Sequence, residues 1–209
     1  MKCDITMDLI SFLLIVGFIS LSGVLMPGPV FVAAVAKGAE HRHAGAWIAL
    51  GHLFVEVPLI IVLAAGFSQF FDNLWVKILI GFAGGVLLTY MGVRMFLIRR
   101  EPEVAKRAFP MHPTVAGIIT TISNPYFILW WATVGVLLII TALAFGWMGI
   151  IAFIIVHEAC DLGWDWLVSY TVNKSKKLWT KKVHAIVFGV CGLFLIILGI
   201  YFILAFWLV

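Results

Sequence analysis

The chain has 209 residues, of which 64% are hydrophobic and only 11% charged, with a mean hydropathy of +1.14. No soluble domain of that size can hide so much apolar surface, so the class is an all-α, polytopic membrane protein. The net charge of +4 comes from Lys and Arg gathered in a few short stretches, which reads as a topology signal and excludes a nucleic-acid surface.

Six apolar segments are long enough to span a bilayer, and they leave nothing for a soluble domain. The first runs from Leu9 to Ala36. It has no small-x-small cleavage site before a polar stretch, so it reads as a retained span and not as a signal peptide. Inside it stands Met26-Pro27-Gly28-Pro29. Each proline lacks an N–H and clashes with the preceding turn, and the glycine adds freedom, so the helix is expected to break here. A membrane tolerates unwound backbone only where protein or a water-filled cavity satisfies it again. A half-helix starting near Val30 would present free N–H groups and a positive dipole end, which suits a carboxylate.

The second span, Ala44 to Phe67, carries His52 and Glu56 four residues apart on one face. The third, Leu74 to Ile98, holds Gly85 and Gly92. The fourth, from near Val115 to Ala144, is interrupted by Ser123-Asn124-Pro125. Asn124 both donates and accepts, so it can bind a solute or patch freed backbone. Trp130 and Trp131 follow, and Trp131 is expected on the solute pathway. The fifth span, Trp147 to Val172, carries His157, Glu158, Asp161 and Asp165. At 100° per residue these four share a stripe about 100° wide. The sixth runs from Val183 to Val209 and repeats the glycine spacing at Gly192 and Gly199.

Lys37 and Arg42 follow the first span. Arg94, Arg99, Arg100, Lys106 and Arg107 follow the third, and Lys174, Lys176, Lys177, Lys181 and Lys182 the fifth. Those are twelve of the fourteen basic residues. Only Lys2 and Lys77 fall on the other side. The positive-inside rule then places the three loops in the cytoplasm and both termini outside a plasma (inner) membrane. The same loops suit anionic lipid head groups.

Laying residues 1–107 over residues 108–209 exposes a repeat. Pro27 matches Pro125 at an offset of 98, the His52/Glu56 pair matches His157/Asp161 at 105, and Gly85/Gly92 matches Gly192/Gly199 at 107. Three spans per half make the halves inverted, with the first and fourth helices broken, and such carriers place their substrate at the repeat interface.

An ionised acid in lipid costs at least about 2.5 kcal/mol, so the acids should face the bundle interior. The expected solute contacts are Pro27, Gly28, Pro29, Asn124, Pro125 and Trp131. The expected ion- or proton-coupling groups are His52, Glu56, His157, Glu158, Asp161 and Asp165. The bland alternative is a set of His–carboxylate pairs that only fixes helix packing. His157-Glu158 begins like H-E-x-x-H but lacks the second His, so a metalloprotease reading fails. The mixed N and O donors still suit a transition metal, which makes divalent-cation export the rival reading. A non-transporting membrane interaction protein is the third. Cys3, Cys160 and Cys191 match no zinc spacing and read as free thiols. No phosphate-binding loop occurs, so ATP is not the energy source. No cofactor, resident metal or catalytic residue is expected.

These residues resemble the lysine-exporter and homoserine/threonine-exporter (LysE/RhtB) family. The resemblance lies in Pro27-Gly28-Pro29 followed by Val30, in Gly45-Ala46-Trp47 through Gly51 with one central acid, in Lys77 through Gly85-Val86-Leu87-Leu88 to Tyr90-Met91-Gly92, and in Ser123-Asn124-Pro125. It covers nearly the whole chain. It implies a secondary exporter of amino acids or related small metabolites, driven by the proton or ion gradient, with a six-helix fold and often a homodimer. The chain departs from that pattern at Val30, where the family usually has Asn, and at Glu56, where Asp is usual. Its fifth-span cluster is also richer in charge, which favours a cationic solute.

Overall fold

The computed structural model describes residues 7–66, 74–101, 110–175 and 180–205. Among these the chain is helical and forms no strand. Helix α1 (Leu9–Val24) starts at Asp8, whose carboxylate accepts from the Ser11 amide at 3.0 Å and the Ser11 hydroxyl at 2.8 Å. It ends where the sequence turns into Met26-Pro27-Gly28. Helix α2 (Pro29–Gly38) opens with Pro29 in its first turn, where a missing N–H costs nothing, and Gly28 caps it in extended backbone. The two helices meet at 76°.

Helix α3 (Ala44–Ala64) holds Pro58 within it, and α4 (Leu74–Ile98) is 25 residues long. The fourth apolar segment is more divided than the sequence predicts. It consists of α5 (Pro113–Ile122), α6 (Pro125–Trp130), a π-helical turn (Trp131–Gly135) and α7 (Val136–Leu143). The first interruption is the expected one at Asn124, whose side chain caps α6 by accepting from the Tyr126 amide at 3.2 Å. The π turn was not expected. The Trp131 ring lies over Gly135 there, so closely that a Cβ on Gly135 would stand 2.2 Å from it. Helices α8 (Gly146–Lys174) and α9 (Lys181–Ala205) complete the chain.

Four stretches are long and apolar enough to cross a membrane: Ala44–Ala64, Tyr126–Leu143, Gly146–Lys174 and Lys181–Tyr201. Counting α1 and α2 as one bent span makes five. In α4 the described apolar stretch, Gly85–Ile98, is shorter.

Glycines set how closely the helices approach. A Cβ on Gly85 would lie 2.6 Å from the Gly199 carbonyl, and one on Gly92 2.6 Å from the Gly192 carbonyl, so α4 and α9 touch backbone to backbone. Helix α3 does the same twice. A Cβ on Gly45 would fall 1.8 Å from the Asp165 carbonyl of α8, and one on Gly51 2.1 Å from the Thr114 carbonyl of α5.

Two apolar clusters fill the interior. One gathers Val32, Ile48, Leu88, Val168, Phe188 and Leu195. The other gathers Phe12, Val16, Ile60, Trp131, Ile139 and Phe153. On α3, Ile48 belongs to the first and Ile60 to the second, so His52 and Glu56 fall between them. On α8, His157, Asp161 and Asp165 fall likewise between Phe153 and Val168. A polar layer thus separates two apolar ones.

The basic ends of the helices meet in pairs. Asn173 Nδ2 donates to the Gly38 carbonyl at 2.8 Å, Ser169 Oγ to the Arg42 carbonyl at 3.0 Å, and His184 Nδ1 stands 2.9 Å from the Arg99 carbonyl. Lys2, Cys3, Lys106, Arg107, Lys176 and Lys177 lie outside the described residues, as do the boundary at 107/108 and the Lys77 side chain. Cys160 and Cys191 are free thiols.

Candidate functional site

The polar layer borders a cavity of about 80 Å³. Its wall takes Gly28 from the first break and Asn124 from the second, with Val30 and Phe31 from the start of α2. Helices α3 and α8 contribute His52, Glu56, His157, Asp161 and Asp165, and aromatic walls come from Tyr126, Phe127, Trp130 and Trp131. The two breaks adjoin: a Cβ on Gly28 would stand 3.6 Å from Asn124 Nδ2.

Glu56 is the hub. It is 1% exposed. Its Oε1 accepts from the Trp131 indole N–H at 2.9 Å and lies 3.0 Å from His52 Nε2. Its Oε2 lies 3.4 Å from His157 Nε2. Asp161 faces the same two imidazoles, with Oδ1 3.8 Å from His52 Nε2 and Oδ2 3.6 Å from His157 Nε2. Each histidine therefore looks at both acids, one on its own helix and one on the other.

The far side of each imidazole is held by a hydroxyl. Thr121 Oγ1 donates to the Gly117 carbonyl at 2.8 Å, the back-bonding usual for Thr inside a helix. Its hydrogen is thus committed, and it accepts from His52 Nδ1 at 2.7 Å. His157 Nδ1 stands 2.6 Å from Ser20 Oγ. The His157 ring stacks on Trp130, with centroids 5.3 Å apart, and meets Trp131 edge-on at 5.3 Å.

Of the residues singled out in the sequence, Gly28, Asn124, Trp131, His52, Glu56, His157, Asp161 and Asp165 meet in this cavity. Pro27 and Pro29 do not line it; they shape the break beside it. Pro125 opens α6, and its side chain lies outside the described residues. Glu158 departs from the group. It sits 100° round the helix from His157, at the stripe's edge. It turns into a separate, apolar groove between α3 and α8, lined by Ala46, Trp47, Leu50, Leu53, Ile155 and Leu162. Sequence reasoning missed Ser20 and Thr121. The available signal was a hydroxyl in an otherwise apolar helix, and for Thr121 its place just before the second break.

A bundle of membrane-length helices with a buried polar cavity at two helix breaks has the build of a membrane carrier. The chain matches the model of the LysE type translocator family over residues 21–205 and belongs to that family. It is thus a multi-pass membrane protein of a transporter family. It is also 28% identical over 181 residues, 84% of this chain and 87% of the other, to "Putative amino acid efflux protein YcgF" of Bacillus subtilis (strain 168). No solved structure matches the chain.

Proposed function

We propose that this protein is a secondary exporter of amino acids, with a cationic amino acid or related metabolite favoured, coupled to the proton or ion gradient. The observation that carries the reading is the meeting of both helix breaks with buried carboxylates in one cavity. The start of α2, with no side-chain cap, leaves N–H groups beside Val30 and Phe31 for a substrate carboxylate. Glu56 and Asp161 offer the opposite charge to its ammonium. His52, His157 and Asp165 adjoin them as relay groups. The relative named for amino acid efflux supports the same solute class.

In this reading the chain has six spans in two inverted repeats of three, and one repeat rocks against the other. The crosswise facing of His52 with Asp161 and His157 with Glu56 supports that symmetry. So does the pairing of Gly85 with Gly199 and Gly92 with Gly192. The joined basic ends are cytoplasmic and both termini are outside. Assembly as a homodimer, implied by the family resemblance, belongs to the proposal.

Counterflow in proteoliposomes tests it. Labelled lysine, arginine, threonine and leucine are presented one at a time, with and without an imposed pH gradient. A cationic amino acid is expected to exchange fastest, the gradient to accelerate net efflux, and Glu56→Gln to abolish both. Failure of every amino acid to exchange overturns the reading.

A further inference from the structure

The cavity holds a donor arrangement that amino acid export does not require. His52 Nε2, one oxygen of Glu56 and one of Asp161 lie within 4.8 Å of one another. His157 Nε2 faces the other oxygen of each acid, so imidazole and carboxylate alternate around a ring with edges of 3.0, 3.4, 3.6 and 3.8 Å, but it stands outside that set of three. With metal–ligand bonds of about 2.1 Å, neighbouring donors of a tetrahedral ion stand about 3.4 Å apart. The two edges that meet at His52 Nε2, 3.0 and 3.8 Å, bracket that spacing.

The hydrogen bonding around the ring leaves it short of a cation. His52 Nδ1 carries its hydrogen toward Thr121 Oγ1, because that hydroxyl has already given its own to Gly117. In the neutral ring Nε2 is then a bare lone pair, aimed at carboxylate oxygens 3.0 and 3.8 Å away. That is the tautomer and the outer hydrogen bond that metal-binding histidines use. Glu56 Oε2 and Asp161 Oδ2 are buried and have no hydrogen-bond partner. Their residues are 1% and 7% exposed. Each of the two carboxylates thus keeps an unused oxygen, while the His52 lone pair lies within 4.8 Å of one oxygen of each. A proton answers one edge of the ring; a divalent ion answers three donors at once. An imidazole with two carboxylates suits Zn²⁺ or Co²⁺, whereas Mg²⁺ and Ca²⁺ prefer oxygen alone.

We infer that His52, Glu56 and Asp161 form a binding site for one divalent transition-metal ion of the Zn²⁺ type, with His157 beside it. The inference follows from the donor geometry, so it stands whether or not an amino acid is the exported solute.

The test uses the full chain, purified in detergent without a histidine tag and stripped of metal by chelator. It is titrated with Co²⁺, followed by visible absorption, and with Zn²⁺, followed by calorimetry. One Co²⁺ per chain is expected, with the intense bands of a tetrahedral ion, displaced by one equivalent of Zn²⁺. Asp161→Asn and His52→Gln should each weaken binding at least about tenfold, and Thr121→Val, which frees His52, about 10- to 100-fold. Replacing the loop residues, His41→Ala with His43→Ala, should change nothing. Size-exclusion profiles verify that each variant is folded. If the ring variants do not fold, the wild type decides: Zn²⁺ raises its Tm if the site exists and leaves it unchanged if not. Absence of Co²⁺ binding overturns the inference, as does binding that survives Asp161→Asn and His52→Gln or disappears with His41 and His43. Counterflow of amino acids is read separately, so either proposal can fail alone.

Discussion

The first half of the chain meets the second along several helix pairs, and two of these contacts are built in opposite ways. Along α4 and α9 the contact is dry and close, with Gly85 against Gly199 and Gly92 against Gly192 at backbone distance. In the polar layer, α3 and α8 keep apart long side chains that must find partners among themselves: His52, Glu56, His157 and Asp161. Lipid offers helices no hydrophobic drive to associate, so the first contact depends on packing and the second on polar pairing. Small residues there serve stability, and large polar ones are retained for what they bind.

Four outcomes would break or sharpen that contrast. The largest effect is expected from Glu56→Ala, which strands the Trp131 indole N–H and two imidazoles in a buried layer. The cost is about 4 kcal/mol, the range for removing one partner of a buried ion pair. Thermal denaturation in detergent measures it, and a wild-type Tm would show that the layer is not held by this hub. Next comes Gly92→Leu, whose side chain meets the Gly192 carbonyl and the Ile196 backbone. It should cost about 3 kcal/mol by overpacking, with no change in solute selectivity among molecules that still fold. A selectivity change would erase the distinction between the two regions. Trp131→Phe keeps the ring and removes only the donor to Glu56. About 2 kcal/mol should be lost, together with most counterflow activity; unaltered counterflow would make the indole a packing group only.

The smallest effect lies outside both regions, at Asp8. The Ser11 amide, and then its hydroxyl, hold the Asp8 carboxyl below its ordinary value. The cap's contribution is therefore complete above the unfolded-state pKa and disappears as pH falls through the lower, folded one. Protection of the Ser11 amide against hydrogen exchange should fall over that acid range in the wild type and stay level in Asp8→Asn. A level profile in the wild type would mean that the cap carries no charge effect.

How legible these features were in the sequence depended on their range. Pro27-Gly28-Pro29 and Asn124-Pro125 break helices through local sterics, so the breaks could be read directly. The pairs His52/Glu56 and His157/Asp161 share helix faces by periodicity, which brought them into the expected site. What the sequence hid depends on neighbours far along the chain. Thr121 and Ser20 matter because His52 and His157 arrive beside them, 69 and 137 residues away. Gly45 and Gly51 looked like ordinary helix glycines until α8 and α5 were laid on them. Glu158 fitted the stripe by angle, but only the packing of α3 shows that the edge of that stripe belongs to another groove. The π turn at Trp131–Gly135 rests on an indole lying over Gly135, which no periodicity encodes.

The 76° bend between α1 and α2 also bears on the bilayer itself. The 16 residues of α1 rise about 24 Å at 1.5 Å each. At that angle the ten residues of α2 advance only about 4 Å further along the same axis. With α1 upright, the pair reaches about 28 Å, a little less than a hydrocarbon core of about 30 Å. Tilting α1 by about 28° shares the bend between the two helices and raises the reach to about 31 Å, enough to match that core without compressing the lipid. A corner in the first span therefore asks for a lean, and not for a thinner bilayer.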